Sequence, residues 1–434
     1  MRVCFYTLGC KVNLNETEAL EQLFKRSGFT VVPDGEDADV YIVNSCTVTN
    51  FGAQKSRKWL RQAKRKNPGA VTVMSGCWPQ ASPEAAAGMT EADVVCGTTN
   101  RRAILGYVNQ MLEGHERIVA IQPHERGEAF EELPVDRFET HTRAFIKVED
   151  GCNRRCAYCV IPRARGPVRS RAEESILAEL RQLAAAGYRE AVLSAISLPS
   201  YGSDTGTSLC ELIEQCAAVE GIERIRLGSL DPDMLTPEDI RRMAAVDKLC
   251  PQFHLSLQSG CDATLRRMRR PYTTAQYLQV VQQLREAYGG RPVSFTTDCI
   301  CGFPGETEED FEASCAFLEK VGFLRVHVFP YSRREGTPAY SFPDQIIEEE
   351  KQARSRRMHQ RAEAVRARVL AGLEGMEDEV LLETPLSGTV FTGYTRLYVP
   401  VAVSAPGCAA GSLVRVRLGR YDGTRVRAEV IRDL

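Results

Sequence analysis

Three cysteines stand close together in the stretch GCNRRCAYC, residues 151–159: Cys152, Cys156 and Cys159. Their C-x3-C-x2-C spacing differs from the C-x2-C pairs of structural zinc sites, and the sequence nearby offers no fourth zinc ligand. Cubane iron-sulfur clusters bind cysteine thiolates, and three ligands on one loop leave one iron open for a substrate or cofactor. The alternative interpretation is three buried structural cysteines.

Three other cysteines, Cys10, Cys46 and Cys77, each follow a predicted strand: RVCFYTL, ADVYIVNS and AVTVMSG. Taken singly, each could be a small buried hydrophobe. Each nevertheless lies in a polar turn that contains glycine or asparagine, beyond the apolar run. In a doubly wound sheet such loop tips converge on one side. We therefore expect a second metal site, which would also keep an open iron.

Strands alternate with helices around both groups of cysteines. Up to about residue 135, helix-like stretches at about 15–27, 51–66 and 101–113 predict an α/β domain with a parallel sheet. Six candidate strands follow between about 143 and 330: RAFIKVE, EAVLSAI, ERIRLGS, QFHLSLQ, VSFTTDCIC and FLRVHVF. Six units are too few for a closed eight-stranded barrel, so we expect an open, partial one.

The last part of the chain has a different pattern. After a charged helical segment, residues 376–434 contain short β-type runs broken by glycine, GYTRLYVPVAV, GSLVRVRLG and RVRAEVI. These runs predict a small antiparallel barrel. The division expected from the sequence is thus 1–135, 140–372 with the trailing helix, and 376–434.

The motif GFPGET follows the fifth strand of the middle region. Gly302 and Gly305 would allow the backbone to approach a flat ligand closely, and Thr307 with Asp310 could cap the next helix. A helix start alone would also explain the motif. The context of strand, glycine loop and helix, together with the family resemblance given below, favours adenosine binding.

Composition limits the class of protein. With 434 residues, of which 43% are hydrophobic and 26% charged, the chain has the composition of an ordinary globular protein. No apolar run is long enough for a membrane span. We expect a cytoplasmic enzyme, because no signal peptide is apparent and 16 cysteines suit a reducing compartment with metal-bound or buried thiols.

The net charge of −2 does not itself favour a nucleic-acid partner, so any such surface must be local. Three basic groups could contact phosphates. They are KSRKWLRQAKRK at 55–66, RRMRR at 266–270, and the C-terminal arginines Arg415, Arg417, Arg420, Arg425 and Arg427. A solvated helix face is the alternative for the first.

Two cysteine triplets in this order, followed by a small β domain, resemble the radical S-adenosylmethionine (SAM) methylthiotransferase family over essentially the whole chain. Further matches are GCKVN at 9–13, KSR at 55–57, LSLQSGCDATLRRMRRPYT at 255–273 and GFPGETEEDF at 302–311. GCKVN is similar to the branch that acts on threonylcarbamoyladenosine in tRNA, whereas the isopentenyladenosine branch has GCQMN and the ribosomal-protein branch GCPKN. LSAISLPSYG and Asp231 depart from the usual pattern, so we carry no ligand role onto Ser197 or Asp231.

The resemblance implies a flavodoxin-like N-terminal domain with an auxiliary 4Fe-4S cluster, a partial (β/α)6 radical-SAM barrel and a C-terminal TRAM domain that binds RNA. Cys152, Cys156 and Cys159 would hold the radical cluster, whose open iron binds SAM, and Cys10, Cys46 and Cys77 the cluster that donates sulfur. Tyr158, Gly302 and Gly305 would contact SAM, and no catalytic side chain is assigned beyond the clusters.

The implied reaction converts the C2–H of N6-threonylcarbamoyladenosine, beside the tRNA anticodon, into C2–SCH3. It would use two SAM molecules and an electron donor of flavodoxin or ferredoxin type, and we expect a monomer. Breaking an aromatic C–H bond at an unactivated carbon is beyond side-chain acid-base chemistry, which is why a radical source is needed. Two alternatives are a methylthiotransferase for isopentenyladenosine or a ribosomal protein, and a noncatalytic two-cluster protein that binds RNA or carries electrons.

Overall fold

The computed structural model describes residues 1–138 and 141–433. Its first unit is a six-stranded parallel sheet in the order β2-β1-β3-β4-β5-β6. The strands are β1 (Arg2–Thr7), β2 (Thr30–Val32), β3 (Val40–Ser45), β4 (Val71–Gly76), β5 (Val94–Cys96) and β6 (Ile118–Ala120). The helices are α1 (Lys11–Arg26), α2 (Asn50–Lys66), α3 (Cys77–Ala81), α4 (Pro83–Ala87) and α5 (Ala103–Leu112). This strand order confirms the flavodoxin-like prediction.

Helix α1 begins four residues before the predicted start. Its first turns are polar, yet Asn13, Asn15 and Glu16 are buried. Asn15 donates a hydrogen bond from Nδ2 to the Phe145 carbonyl, 2.7 Å away, in the next unit. A hydrophobic pattern does not detect this start, because most of the residues buried in the first two turns of α1 are polar.

The middle unit confirms the partial barrel. Its strands are β7 (Ala144–Lys147), β8 (Glu149–Asp150), β9 (Arg169–Ser170), β10 (Glu190–Ser194), β11 (Arg224–Leu227), β12 (Ser229–Leu230), β13 (Gln252–Leu255), β14 (Ser294–Cys301) and β15 (Arg325–Pro330). The parallel sheets β11-β10-β7 and β12-β13-β14-β15 are consecutive, because β12 follows β11 after a single residue. Only β8 and β9 pair separately, as an antiparallel ladder.

Helices surround this open barrel, as crossover connections between parallel strands require. They are α6 (Ile161–Arg165), α7 (Glu173–Ala185), α8 (Leu209–Ala217), α9 (Pro237–Ala245), α10 (Asp262–Arg267), α11 (Thr274–Ala287), α12 (Glu308–Val321) and α13 (Glu348–Ala371). Short 3-10 helices span Leu198–Ser200, Pro232–Met234 and Pro338–Ser341. The predicted capping box of α12 is confirmed, with Thr307 and Asp310 bonded reciprocally. No helix in the described ranges combines the length and apolar character needed to cross a bilayer.

The C-terminal unit is a closed five-stranded barrel in the order β16-β17-β18-β20-β19. Its strands are β16 (Glu377–Ser387), β17 (Val390–Thr395), β18 (Pro400–Ser404), β19 (Leu413–Tyr421) and β20 (Val426–Asp433). The predicted barrel is confirmed, with one difference: β18 and β20 pair in parallel, which closes the barrel. The sequence-based prediction also missed β16, whose polar, proline-containing second half hides the strand pattern.

Candidate cluster sites and the cavities between them

The first three predicted ligands all follow strands of the N-terminal sheet: Cys10 precedes α1, Cys46 follows β3 and Cys77 begins α3. Their loops are tied together by Ser45. Its carbonyl accepts a hydrogen bond from Asn13 Nδ2 at 3.1 Å, and its hydroxyl accepts one from the Trp78 backbone N–H at 3.2 Å. Asn13 Oδ1 in turn accepts from the Cys10 thiol at 3.6 Å. The structure therefore brings the three loop tips to one place.

Arg165 connects this triplet to the middle unit. Its side chain is completely buried, and Nε donates a hydrogen bond to the sulfur of Cys77 at 3.2 Å. Its terminal nitrogens donate to Glu16 at 2.5 Å and to Asn13 at 2.7 Å. Because Arg165 ends α6, directly after the second cysteine loop, it fixes one cysteine triplet relative to the other.

Around Arg165 lies a buried ionic network with more cations than carboxylates. Its members are the carboxylates Glu16, Glu131 and Asp150 and the cations Arg101, Lys147, Arg165 and Arg169. Burial opposes ionisation of Glu16, but the adjacent Arg101, Arg165 and Lys147 outweigh it and lower the pKa of this carboxyl to about 2. The excess positive charge favours an anionic group beside Cys77.

The second triplet lies on the loop between β8 and α6. The Cys159 N–H donates to the Cys156 carbonyl at 3.1 Å, which folds the loop back on itself. Arg270 donates a hydrogen bond from Nη1 to the sulfur of Cys156 at 3.2 Å and forms an ion pair with Asp231. Each triplet therefore has one thiol that faces a buried guanidinium.

Arg270 corrects one detail of the predicted phosphate-binding surface. The RRMRR segment was expected at the surface, but Arg270 is only 8% exposed. Of its neighbours, Arg267 pairs with Asp310 at 2.6 Å, whereas Arg266 and Arg269 are exposed. Asp231 and Ser197, which depart from the family pattern, are both held internally: Asp231 by Arg270, and Ser197 by a 2.8 Å bond from its N–H to Glu149.

Two of the cysteines follow glycines that have no substitute. Gly76 and Gly151, which precede Cys77 and Cys152, have φ values of 96°. A Cβ at Gly76 would lie 2.6 Å from Asn44 Oδ1, and one at Gly151 only 1.9 Å from the Pro167 carbonyl oxygen. Both loops can therefore present their thiols only with glycine at this point.

The donor sets fit 4Fe-4S clusters. Within each triplet the thiols interact electrostatically, and burial raises the pKa of Cys77 and Cys159 to about 12 and that of Cys152 to about 11. Metal ligation requires the thiolate form, so binding to iron would displace these protons. Among the described residues, no three His, Cys, Asp or Glu side chains are placed to ligate one metal ion. A cubane has no such requirement, because each cysteine binds a different iron.

Two adjoining cavities lie between the triplets. One, of about 210 Å³, is lined by Tyr158 and Cys159, and the other, of about 470 Å³, is lined by Cys10 and Tyr398. Both include Asp298 and Phe329 in their walls. A molecule in the first cavity therefore adjoins one in the second, and the pair spans the space from Cys159 to Cys10.

Of the three residues predicted to contact SAM, Tyr158 lines a cavity, whereas Gly302 and Gly305 face other side chains of the protein. Tyr158 lines the cavity beside Cys159. Gly302 has its N–H bonded to Glu306 Oε1 at 2.8 Å, and a Cβ there would lie 2.4 Å from Cγ of Lys351 on α13. Gly305 faces the Arg267 side chain. Packing against α13 therefore explains Gly302 structurally, and the contact of either glycine with adenosine stays a prediction.

Sequence reasoning missed Arg165, Arg270 and Tyr398. Both arginines lie in segments rich in positive charge, a pattern that predicts an exposed surface. Tyr398 belongs to the turn between β17 and β18, has a φ of 66°, and reaches from the C-terminal barrel into the larger cavity. The local sequence does not indicate that Tyr398 lines the cavity, because its position depends on how the C-terminal barrel packs against Arg224 and Arg226.

Comparisons with known proteins agree with this geometry. Residues 146–318 match the radical SAM superfamily, and residues 2–97 match a family described as uncharacterized protein family UPF0004. The chain is 38% identical to the threonylcarbamoyladenosine tRNA methylthiotransferase MtaB of Bacillus subtilis, over 96% of this chain and 93% of that protein. The MtaB of Aquifex aeolicus is 40% identical over 82% of this chain and 86% of its own.

A more distant relative is tRNA-2-methylthio-N(6)-dimethylallyladenosine synthase of Carboxydothermus hydrogenoformans, 34% identical over 95% of each chain. Among solved structures, the radical SAM methyltransferase TsrM of Kitasatospora setae superposes with a TM-score of 0.57 at 16% identity, over 78% of this chain and 73% of its own. The cobalamin-dependent radical SAM enzyme OxsB superposes with a TM-score of 0.51 at 13% identity, over 78% of this chain and 54% of its own. These two likenesses concern the fold. On the full-length identities, the chain belongs to the radical SAM methylthiotransferase family, whose cofactors are SAM and two 4Fe-4S clusters.

Proposed function

We propose that this protein is a tRNA methylthiotransferase that converts the C2–H of N6-threonylcarbamoyladenosine into C2–SCH3. The observation that carries the proposal is the pair of cavities with a common wall at Asp298 and Phe329, one beside Cys159 and the other beside Cys10. This arrangement suits a reaction in which a radical source and a sulfur source act on the same base. The full-length relatives named for this activity support the choice of substrate.

In this proposal Cys152, Cys156 and Cys159 hold the radical cluster, and Cys10, Cys46 and Cys77 hold the auxiliary cluster. SAM takes the cavity of about 210 Å³, where Tyr158 contacts it. Gly302 and Gly305, which lie outside the walls of that cavity, are proposed to contact the adenosine part of SAM. When bound, the clusters and SAM supply the radical, the sulfur and the methyl group. The side chains bind and orient: Phe329, 40% exposed at the end of β15, offers an aromatic face to the base in the larger cavity.

Residues 1–135 then form the auxiliary-cluster domain, 140–372 the radical-SAM core with its trailing helix, and 376–434 a TRAM domain. Several predicted phosphate-binding cations are already paired within the protein. Lys64 binds Asp93 at 2.7 Å and Arg417 binds Glu377 at 3.0 Å. Arg420 and Arg425 carry no ion pair within the described residues, so we assign them to tRNA.

The electron donor is proposed to be an acidic protein of flavodoxin or ferredoxin type. An open groove of about 900 Å³ borders Cys152 and is lined by Arg126, Arg155 and Arg163. These three arginines are exposed. Positive charge beside a cluster ligand suits a negatively charged redox partner. We further propose that the protein acts as a cytoplasmic monomer.

The test is expression of the gene in cells that lack their own methylthiotransferases. Digested tRNA analysed by mass spectrometry should carry the methylthio mass increment on threonylcarbamoyladenosine alone. An increment on isopentenyladenosine or on a ribosomal protein would overturn the proposed substrate. If reduced protein formed no 5′-deoxyadenosine from SAM, the protein would be a noncatalytic cluster protein and the whole proposal would fall.

A further inference from the structure

The larger cavity is built by all three units of the chain. Its walls come from the start of α1, from residues along the strands of the partial barrel and from Tyr398 of the C-terminal barrel. Its volume of about 470 Å³ is within the range of small-molecule sites. The cavity therefore has room for a base that carries a substituent, and Cys10 lies in its wall.

Two cations in this wall have no hydrogen-bond or ion-pair partner in the described part of the chain. Lys11 is the first residue of α1, and Arg325 is the first residue of β15. Both side chains are exposed, and within the described residues neither has a hydrogen bond or an ion pair. Both act electrostatically on His327, which also lines the cavity, so they face a common region.

The carboxylate that acts electrostatically on Lys11, Glu190, is already bound by Arg224 and Arg226. The first turn of α1 contains no acidic residue, so the ammonium group lies at the positive end of a helix dipole. Arg143 and Arg226 add positive potential, although they are themselves bound to Glu383 and Glu190. The arrangement is therefore electrostatically unfavourable until an anion enters the cavity.

The other titratable groups of the cavity do not supply that anion. Asp298 is the only carboxylate among its lining residues, and its Oδ2 faces His254 Nε2 at 3.5 Å. His254 Nδ1 is 3.1 Å from the Thr296 hydroxyl. With Asp298 and His254 directed at each other, the cavity keeps a net positive charge at Lys11 and Arg325.

We propose that Lys11 and Arg325 bind the carboxylate of the threonylcarbamoyl group. This inference depends on the proposed function, since it specifies how that substrate is recognised. An ammonium and a guanidinium form strong charge-assisted hydrogen bonds with a carboxylate. Because Lys11 directly follows Cys10, the same contact positions the base relative to the auxiliary-cluster site. An apolar isopentenyl group would leave both cations unpaired, and the site would reject it.

The test compares two forms of one substrate. An anticodon stem-loop carrying threonylcarbamoyladenosine and its methyl ester, which lacks the charge, are titrated against reconstituted protein and assayed for kcat and KM. The unaltered protein should bind the acid more tightly than the ester. Lys11→Gln and Arg325→Gln should each weaken binding of the acid roughly tenfold to a hundredfold, with a much smaller effect on the ester. Lys11→Arg should keep the preference, and Lys320→Gln and Arg356→Gln, on exposed helix faces, serve as controls.

The possible failures are distinguishable. If the unaltered protein modifies the acid and both Gln variants keep its full preference for the acid over the ester, this inference is wrong and the proposed function stands. If the unaltered protein does not modify the acid but modifies isopentenyladenosine, the proposed function itself fails. The acid-to-ester ratio is measured within each variant, so a general loss of folded protein leaves it unchanged.

Discussion

Nε of Arg165 donates a hydrogen bond to the sulfur of Cys77 across 3.2 Å, although the two residues belong to different units of the chain. The same guanidinium binds Glu16 of α1, and Asp150 of β8 lies 3.2 Å from it. A hydrogen bond to a ligand sulfur changes the electron affinity of a cluster. On the proposed assignment of Cys77 as a cluster ligand, Arg165 would therefore link the position of one cluster site to the reduction potential of the other.

Arg165→Met should make the reduction potential of the auxiliary cluster more negative, by on the order of tens of millivolts. The reduced cluster carries one more negative charge than the oxidised one, and the variant removes the cation that stabilises it. The potential can be measured by redox titration followed by electron paramagnetic resonance, in a background where Cys152, Cys156 and Cys159 are alanine. Arg165→Lys should shift the potential less. Arg163→Met, an exposed arginine of the same helix, should leave it unchanged. Equal potentials in the Arg165 and Arg163 variants would argue against this coupling.

Anaerobically reconstituted protein should hold about eight irons, from two cubane clusters. Replacing Cys152, Cys156 and Cys159 with alanine should remove about half of the iron and abolish SAM cleavage. Replacing Cys10, Cys46 and Cys77 should remove the other half and leave SAM cleavage detectable. Iron analysis and the yield of 5′-deoxyadenosine provide both measurements. Cys261→Ala, which alters a half-buried thiol outside both triplets, should keep all the iron. Full iron content in either triple variant would refute the ligand assignment.

Substituting Arg420 and Arg425 with alanine should weaken tRNA binding and flatten its dependence on salt by about one unit of log–log slope per lost phosphate contact. The reason is that each phosphate contact releases counterions. Binding titrations at several salt concentrations would measure both effects. An Arg181→Ala and Arg356→Ala double variant, altered on helices α7 and α13, is the matched control for charge. An unchanged slope would mean that the C-terminal barrel does not contact RNA through these residues. Truncation would be a poorer test, because it exposes Arg224 and Arg226.

Glu190 should make stability depend on pH in the acid range. Burial opposes its ionisation, but Arg226 and Arg224 lower its pKa from 4.5 to about 2. A carboxyl whose pKa is lower in the folded state stabilises fully above its unfolded pKa of about 4.5, and this contribution is lost as the pH falls towards 2. The Glu190→Gln variant should therefore have a free energy of unfolding about 3–5 kcal/mol lower than that of the unaltered protein at pH 7, because it leaves two buried guanidiniums uncompensated. On acidification, its stability should then fall by less than that of the unaltered protein.

Urea unfolding at pH 7 and at pH 4, followed by circular dichroism under anaerobic conditions, measures this effect. Glu223→Gln, on an exposed carboxylate just before β11, is the control. If Glu190→Gln lost as much stability between the two pH values as the unaltered protein, the acid dependence would not come from Glu190.

The sequence by itself determined most of the helices and strands and all six candidate cysteines. The runs VYIVNS and VTVMSG became β3 and β4, and all their residues are buried, because apolar runs of strand length bounded by polar turns leave few alternatives. The spacing of Cys152, Cys156 and Cys159 is local, so it could be interpreted without any tertiary information. The placement of Cys10, Cys46 and Cys77 after strands needed only the rule that parallel strands end at the same edge.

Only the tertiary structure decided which charged residues are internal. Arg224 and Arg226 are completely buried, with Glu190 between them and backbone carbonyls of the C-terminal barrel as acceptors. Arg165 and Arg270 face thiols, whereas Lys11 and Arg325 line a cavity and have no ion-pair partner among residues 1–138 and 141–433. In sequence all six are ordinary cations. A side chain's electrostatic role depends on the groups that surround it, and those groups come from segments that only folding brings together.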